Sequence, residues 1–264
     1  GKPIVNILPR LEEGERVQAM IPIRDFKTGE FVVFATRSGV IKKTELVAFS
    51  HPRADGIWAI KLDPDDELVN VRLSDGTKEI VVATADGLAN RFHETESREQ
   101  GRFTRGVRGI RLREGDKVIG MSVLKEDSIL LTVTANGYGK RSKLEDYRRT
   151  HRGGQGVKNL KINEKTGRVV AVRGVDESEE LIITSYQGMI IRIPVKDISI
   201  LGRATQGVKI MNMNEGDKVV AVARLAQIDD ENNNNNEEEK SPEGEENRTE
   251  SAPESNETKE EDSS

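Results

Sequence analysis

The sequence predicts an all-β protein of the propeller type, built from four-stranded repeats of about fifty residues. A strand–turn–strand pattern recurs four times, and its turn glycines at positions 39, 87, 137 and 188 are spaced by 48, 50 and 51 residues. Almost no segment has the period of an amphipathic helix. Because one such unit cannot bury its own faces, we expect neighbouring units to stack and form the core between them.

The strand–turn–strand patterns predict four β-hairpins. Asn136-Gly137 is the clearest turn, because both residue types accept the positive φ values of a type I′ turn. The hairpins are expected at residues 32–43, 81–92, 131–141 and 181–193.

Two further marks recur with the same period. One is a glycine-rich basic segment leading into a strand, here called the glycine-basic loop. The other is an acidic turn before a valine-rich strand. The loops cover residues 53–60, 101–110, 152–160 and 202–210, with central glycines at 56, 106, 156 and 207, and the turns begin residues 13–17, 65–69, 114–118, 165–169 and 215–219.

Residues 1–228 are therefore predicted to contain four complete units and part of another, since Gly1–Asn6 aligns with the end of a glycine-basic loop. Either the units form a small four-bladed ring, or they belong to a larger one. The start within a repeat favours the larger ring and a sequence that is a fragment. An open β-solenoid is the alternative fold, although its repeats are usually shorter.

Charge separates the chain into two parts. The net charge is −5, but residues 229–264 hold 15 acidic residues against 3 basic ones. Residues 1–228 keep 38 basic against 31 acidic residues, which gives +7. The last segment, with its run of five asparagines, is predicted to be a disordered acidic tail. The absence of cysteine fits a reducing cytosol, and no apolar run has the length of a membrane span.

No motif for catalysis or metal binding is present, so we expect no catalytic residue and no metal site in this chain. What recurs is positive charge, which suits the phosphate backbone of duplex DNA, and glycines beside it would let backbone N–H groups approach phosphates. The alternative is that these cations only keep a propeller rim soluble. The predicted DNA-binding belt consists of Lys42, Lys43, Arg53, Arg91, Arg102, Arg105, Arg108, Lys140, Arg141, Arg148, Arg149, Arg152, Lys158, Arg192, Arg203 and Lys209.

These features resemble the C-terminal domain of the DNA gyrase A subunit over residues 1 to about 226. The resemblance rests on residues 1–6, 104–110, 136–141 and 202–209. It implies a six-bladed β-pinwheel with exchanged strands, of which about four and a half blades are present. It also implies a module of a type IIA topoisomerase that wraps duplex DNA around a basic rim and supports ATP-dependent negative supercoiling.

The resemblance further implies bacterial, cytoplasmic and nucleoid-associated partners, namely the rest of the gyrase A subunit together with the gyrase B subunit in an A2B2 complex. ATP and Mg²⁺ would belong to that holoenzyme, and no cofactor is implied for this chain. The catalytic tyrosine of the family lies outside the sequence. The C-terminal domain of the A-type subunit of topoisomerase IV and a propeller scaffold for proteins are the alternative functions.

One departure from the family concerns its Gln-Arg-Arg-Gly-Gly-Lys-Gly box, on which wrapping depends. The nearest match is a box-like loop in a later unit, where Gln155 replaces the lysine; it comprises His151, Arg152, Gly153, Gly154, Gln155 and Gly156. The full wrapping role is therefore not assigned to it. The tail resembles acidic extensions found in some members of the family, and we expect it to compete with DNA for the rim.

Overall fold

The computed structural model describes residues 14–53 and 55–225. By its internal contacts the chain divides into residues 1–227 and 228–264, and every described residue belongs to the first unit. The expected fifth-copy segment Gly1–Asn6 and the predicted disordered tail lie outside the described residues.

Short strands dominate the described chain, and the predicted all-β fold class is confirmed. No helix in these ranges is long and apolar enough to cross a lipid bilayer. The strands are β1 Phe31–Thr36, β2 Val40–Glu45, β3 Leu68–Ser74, β4 Glu79–Thr84, β5 Leu88–His93, β6 Val107–Arg108, β7 Val118–Leu124, β8 Ile129–Thr134, β9 Tyr138–Lys143, β10 Val157–Lys158, β11 Val169–Val175, β12 Glu180–Ser185, β13 Ile190–Pro194, β14 Val208–Lys209 and β15 Val219–Leu225. Short 3-10 helices follow the hairpins at Leu46–Phe49, Glu94–Glu96, Leu144–Asp146 and Val195–Asp197.

The strands form four antiparallel sheets that exchange strands. Their orders are β3-β1-β2-β6, β10-β5-β4-β7, β11-β8-β9-β14 and β13-β12-β15. Each of the first three sheets thus combines a hairpin, the long strand that follows it, and a two-residue strand from the next unit. The described part of the fourth sheet has three strands. The strand exchange that the resemblance implied is therefore present.

The hairpin turns correct the expectation of a type I′ turn. In each turn the glycine N–H donates to the carbonyl three residues earlier, as from Gly137 to Thr134 over 3.1 Å. Glycine therefore occupies the last turn position, with φ of +77° at Gly137 and +89° at Gly39. The loops have three residues, and the positive φ lies at the residue that rejoins the strand, as in a G1 bulge.

The core lies between neighbouring sheets, as the stacking argument predicted. The first and second sheets bury Val33, Ile41, Ile80 and Phe92 between them, and equivalent clusters separate the second sheet from the third and the third from the fourth. Each such side chain contributes about 1.5–3 kcal/mol when it is fully buried. The long strands β3, β7, β11 and β15 pack against one another in this order, so they are the inner strands.

Two expected strands are absent from the described chain, both near its beginning. Residues 57–60 form none, because no preceding sheet in the described part can accept them as β2 accepts β6. Residues 17–23 form none, although an acidic turn precedes them. Inner strands pair with the first strand of the preceding hairpin, and the described residues before Val17 include no hairpin.

Candidate nucleic-acid interface

The structure removes five hairpin cations from the predicted belt. Each is at most 7% exposed, so none can reach a phosphate without unfolding its surroundings. Their charged groups bind backbone carbonyls and carboxylates of the protein instead. The five are Lys42, Lys43, Arg91, Lys140 and Arg141.

The cation four residues after each turn glycine anchors the next unit. Arg91 donates from Nη1 to the carbonyls of Leu144 and Tyr147, over 2.9 and 3.1 Å, at the 3-10 helix of the following unit. Arg141 binds the carbonyls of Lys196 and Ile198 in the same way, at 3.0 and 2.6 Å. The recurrence that predicted a DNA-binding belt is therefore explained by packing between units.

Arg192 is the exception at this repeat position. The 3-10 helix Val195–Asp197 that follows it belongs to its own unit, and the described residues include no later unit for it to anchor. Its side chain is 66% exposed. It pairs with Glu180 of its own sheet, with 2.9 Å between Nε and Oε2. It remains available to an external partner.

The residue three positions after the turn glycine holds the next glycine-basic loop. Lys42 Nζ donates to the carbonyls of Ala59 and Arg102 at 2.6 Å each, and Lys140 Nζ donates to those of Gly202 and Arg203. Asn90 takes this role in the second unit. Burial is the main cause that lowers the pKa of Lys42 to about 8, and Arg102 adds to it. Burial likewise lowers the pKa of Lys140 to about 8.

The central glycines of the glycine-basic loops also have a structural reason. A Cβ at Gly106 would lie 2.4 Å from the carbonyl oxygen of Ile41, and one at Gly207 would lie 2.7 Å from that of Gly139. These glycines let the exchanged strand approach the preceding hairpin. Close approach to phosphate, the expected role, is not required to explain them.

The belt cations that lie on the exchanged strands are exposed. Arg108, Lys158 and Lys209 lie on β6, β10 and β14, at the edges of their sheets opposite the inner strands. None makes an ion pair with a carboxylate of the described residues. We call these three the rim cations. The equivalent position in the first unit is Trp58, which is 67% exposed.

The loops around the rim cations interlock along the row of sheets. Arg152 Nη1 donates to the Arg108 carbonyl at 3.4 Å, and Arg203 Nη1 donates to the Lys158 carbonyl at 2.9 Å. Each loop therefore brings one further arginine beside the rim cation of the preceding exchanged strand.

The other predicted loop cations differ in their partners. Arg53 and Arg148 are exposed. Arg105 pairs with Asp63 at 2.9 Å, so part of its charge is neutralised within the protein. Arg149 contacts Glu79 and lies 3.4 Å from Glu126. Arg102 is half-buried and lies over the ring of Phe103, which is 68% exposed.

The box-like loop packs against the preceding unit. His151 Nδ1 lies 2.7 Å from Glu96 Oε1, and Arg152 Nε donates to the Glu96 carbonyl at 2.9 Å. Gly153 and Gly156 have φ of +75° and +74°, which favours glycine at both positions. Glu96 thus offsets part of the charge of this loop.

Sequence reasoning missed two groups of residues. Trp58 and Phe103, both exposed, lie beside the buried Ile60 in the glycine-basic loops. Arg72 and Arg173 lie on inner strands and face a cavity. A signal existed for the arginines, because they occupy equivalent positions two units apart, but it falls outside the hairpins and loops.

The first three sheets each pair a hairpin with a strand of the next repeat, and that strand carries a cation at the outer edge of the sheet. This arrangement defines a strand-exchanging β-propeller with a basic rim. The chain belongs to the DNA gyrase C-terminal domain family, a β-propeller family. The family model matches residues 30–75, 78–125, 128–176 and 179–226, which are the four units of the structure.

Curated relatives agree with this membership. The DNA gyrase A subunit of Chlamydia trachomatis is 41% identical over 228 residues, and that of Escherichia coli is 42% identical over 227. Each alignment covers 86% of this chain. The chain spans about a quarter of the length of these relatives, 27% and 26%.

Solved structures show the same fold. The C-terminal domain of a DNA topoisomerase IV matches with a TM-score of 0.78 and 29% identity, over 85% of this chain and 70% of that one. A DNA gyrase A C-terminal domain matches with a TM-score of 0.75 and 26% identity, over 84% and 74% of the two chains.

Proposed function

We propose that the chain is the DNA-wrapping module of a DNA gyrase A subunit, which bends duplex DNA around the basic rim. The observation that carries this proposal is the row of rim cations, Arg108, Lys158 and Lys209, exposed and without carboxylate partners in the described chain. Membership of the gyrase family and the names of the curated relatives support it.

A positively charged rim can supply the free energy that bending the duplex requires. Bending a site of 20–30 base pairs by 40–90° costs about 1–6 kcal/mol. Release of condensed counterions at several phosphates is large enough to offset this cost. Because the rim cations lie on sheets that follow one another, contacts with them would favour a curved path of the duplex.

We further propose the larger assembly by analogy with the relatives: the rest of the gyrase A subunit together with the gyrase B subunit in an A2B2 complex, in the bacterial cytoplasm. In that assembly the chemistry of strand passage and ATP hydrolysis resides outside this chain. This chain contributes binding and bending.

Neutralising the rim cations should weaken DNA binding and reduce its salt dependence. In a variant carrying Arg108→Gln, Lys158→Gln and Lys209→Gln, we expect affinity for a fluorescein-labelled duplex to fall at least about tenfold at low salt. The slope of log K against log salt should become shallower by about 3, one for each lost phosphate contact. Fluorescence anisotropy over a salt series measures both quantities.

The matched control loses three exposed cations outside the glycine-basic loops, through Arg113→Gln, Lys165→Gln and Lys196→Gln. It changes net charge equally but should keep most of the affinity. Trp58 fluorescence reports DNA contact locally, because Trp58 is the single tryptophan and takes the place of a rim cation in the first unit. Equal losses in both triple variants, or unchanged Trp58 emission at saturating duplex, would contradict the proposal. Binding that is insensitive to salt would favour a protein scaffold.

We also propose that the acidic tail competes with DNA for the rim as a tethered anion. Deleting residues 229–264 should then tighten duplex binding at low salt, and the difference should shrink as salt rises. A full-length chain with every tail Glu changed to Gln and every tail Asp to Asn serves as the control. It should behave like the deletion. A tail that only aids solubility would leave affinity unchanged in both variants, and that result would reject the idea.

A further inference from the structure

A cavity of about 780 Å³ lies against the inner strands, on the side of the sheets away from the rim cations. Three arginines, Arg72 on β3, Arg173 on β11 and Arg224 on β15, line it. Neither the gyrase membership nor the proposed wrapping of DNA gives this cluster a role.

The sequence places these arginines together through the register of the inner strands. Arg72 pairs with Val33 and Arg173 with Leu131, which are equivalent positions in the first and third sheets. Their neighbours Val71 and Val172 are buried in the cores, and because side chains alternate along a strand, the arginines face the other side. Stacking of the inner strands brings the two side chains to one space.

The protein leaves most of this positive charge uncompensated. Arg72 donates one hydrogen bond, from Nη1 to the carbonyl of Val71, and Arg173 donates one to the carbonyl of Val222 at 2.9 Å. Neither makes an ion pair with a carboxylate among residues 14–53 and 55–225. Arg224 pairs with Glu179 at 2.9 Å.

The other charged groups that line the cavity leave its net charge positive. Lys78 pairs with Asp75 at 2.6 Å, and Lys125 is exposed. Asp176, the second acidic lining residue beside Glu179, accepts hydrogen bonds from the backbone N–H and hydroxyl of Ser178. Five cations therefore face two carboxylates.

The positive charges of these arginines repel one another, which contributes to lowering the pKa of Arg72 and Arg173. Burial is the main cause that lowers the pKa of Arg72, and Arg224 adds to it. Burial also lowers the pKa of Arg173, with further contributions from Arg72 and Arg224. Holding like charges together in partly buried positions costs stability unless an anion offsets them.

We propose that this cavity binds a small anion made of linked phosphoryl groups, such as the triphosphate chain of a free nucleotide or inorganic tripolyphosphate. Guanidinium groups bind phosphate oxygens through two parallel hydrogen bonds, and three of them match several adjacent phosphoryl groups better than a single carboxylate. The volume admits such an anion but excludes a DNA duplex, so this site is distinct from the rim. The proposal does not depend on DNA wrapping.

Calorimetric titration of inorganic tripolyphosphate into the full 264-residue chain, without divalent cations, tests the proposal. Arg72→Gln and Arg173→Gln should each weaken binding about tenfold or more, because each removes charge-assisted hydrogen bonds. The rim variant Arg108→Gln, Lys158→Gln, Lys209→Gln serves as the control and should stay within about twofold of the parent affinity. Parallel titration with adenosine triphosphate distinguishes a nucleotide ligand from an inorganic one. Equal affinity for the two anions means that the site recognises only the phosphate chain.

Thermal unfolding shows that the variants are folded. Loss of one member of a repelling cluster should leave the melting temperature unchanged or higher. Tripolyphosphate should raise the melting temperature of the parent chain and much less that of Arg173→Gln. The proposal is overturned if the parent chain binds neither anion, or if the rim variant loses binding while both cavity variants keep it.

Discussion

Replacing Arg91 with methionine is expected to lower the free energy of unfolding by about 3–5 kcal/mol. Methionine fills much of the volume but leaves the buried Glu79 carboxylate without its 2.8 Å contact to Nε. It also removes the Arg91 donor from two carbonyls at the joint between the second and third units: that of Tyr147 loses its side-chain donor, and that of Leu144 keeps only the Tyr147 N–H. Unsatisfied buried polar groups carry their full desolvation cost.

Arg192→Met is the matched control, because Arg192 holds the same repeat position but is 66% exposed. Its loss should change stability by no more than about 0.5 kcal/mol. Urea unfolding followed by circular dichroism measures both variants. If Arg91→Met were as stable as the parent while its DNA affinity fell, Arg91 would belong to the DNA interface after all.

The repeat architecture could be predicted because its signals are local. Turn glycines such as Gly137 need positive φ, and valine-rich runs such as the one beginning at Val169 favour strands. Both recur at a nearly fixed period, so one hairpin recognised in the sequence identified the others. The turn type was wrong because Asn-Gly alone does not show whether glycine takes a central or the last turn position.

Strand exchange is non-local and could not be derived from these patterns. A two-residue strand such as Val157–Lys158 has too few residues to show alternation. Its partner Ala89 lies in the preceding unit, so local sequence does not identify it. Exchange entered the predictions only through the family resemblance.

The predicted interface combined cations that are exposed with cations that are buried between units. Arg108 and Arg91 both recur with the repeat, but periodicity does not distinguish a cation that meets solvent from one that binds a neighbouring unit. Position on the sheet determines which cation meets solvent. Arg108 lies on an edge strand, whereas Arg91 lies on a strand that is paired on both sides. The cavity arginine Arg173 was missed because its role depends on stacking of inner strands.

Gly156→Ala should cost about 3 kcal/mol of stability and detach the exchanged strand β10 from β5. The residue has φ of +74°, a conformation that costs a residue with a side chain about 1–2 kcal/mol. An added Cβ would also lie 2.6 Å from the carbonyl oxygen of Ala89 and 2.8 Å from its carbon. Because those atoms are backbone, relief requires a shift of the strand, and such overpacking costs about 1–3 kcal/mol more.

Gly56→Ala separates the cost of the backbone conformation from the cost of the steric clash. Gly56 stands at the same repeat position with φ of +79°, but no atom of the described residues lies within 4 Å of a Cβ built there. Its substitution should cost only the conformational part, about 1–2 kcal/mol. Urea unfolding gives the stabilities, and hydrogen exchange at Ala89 and at Asn159, whose N–H donates to the Gly87 carbonyl, reports pairing of β10 with β5. Equal losses for the two variants, with protection kept at Ala89, would mean that backbone conformation alone requires these glycines. A larger loss for Gly156→Ala means that, in the loops with an exchanged strand, the central glycine is required by the close passage of that strand along the sheet of the preceding unit.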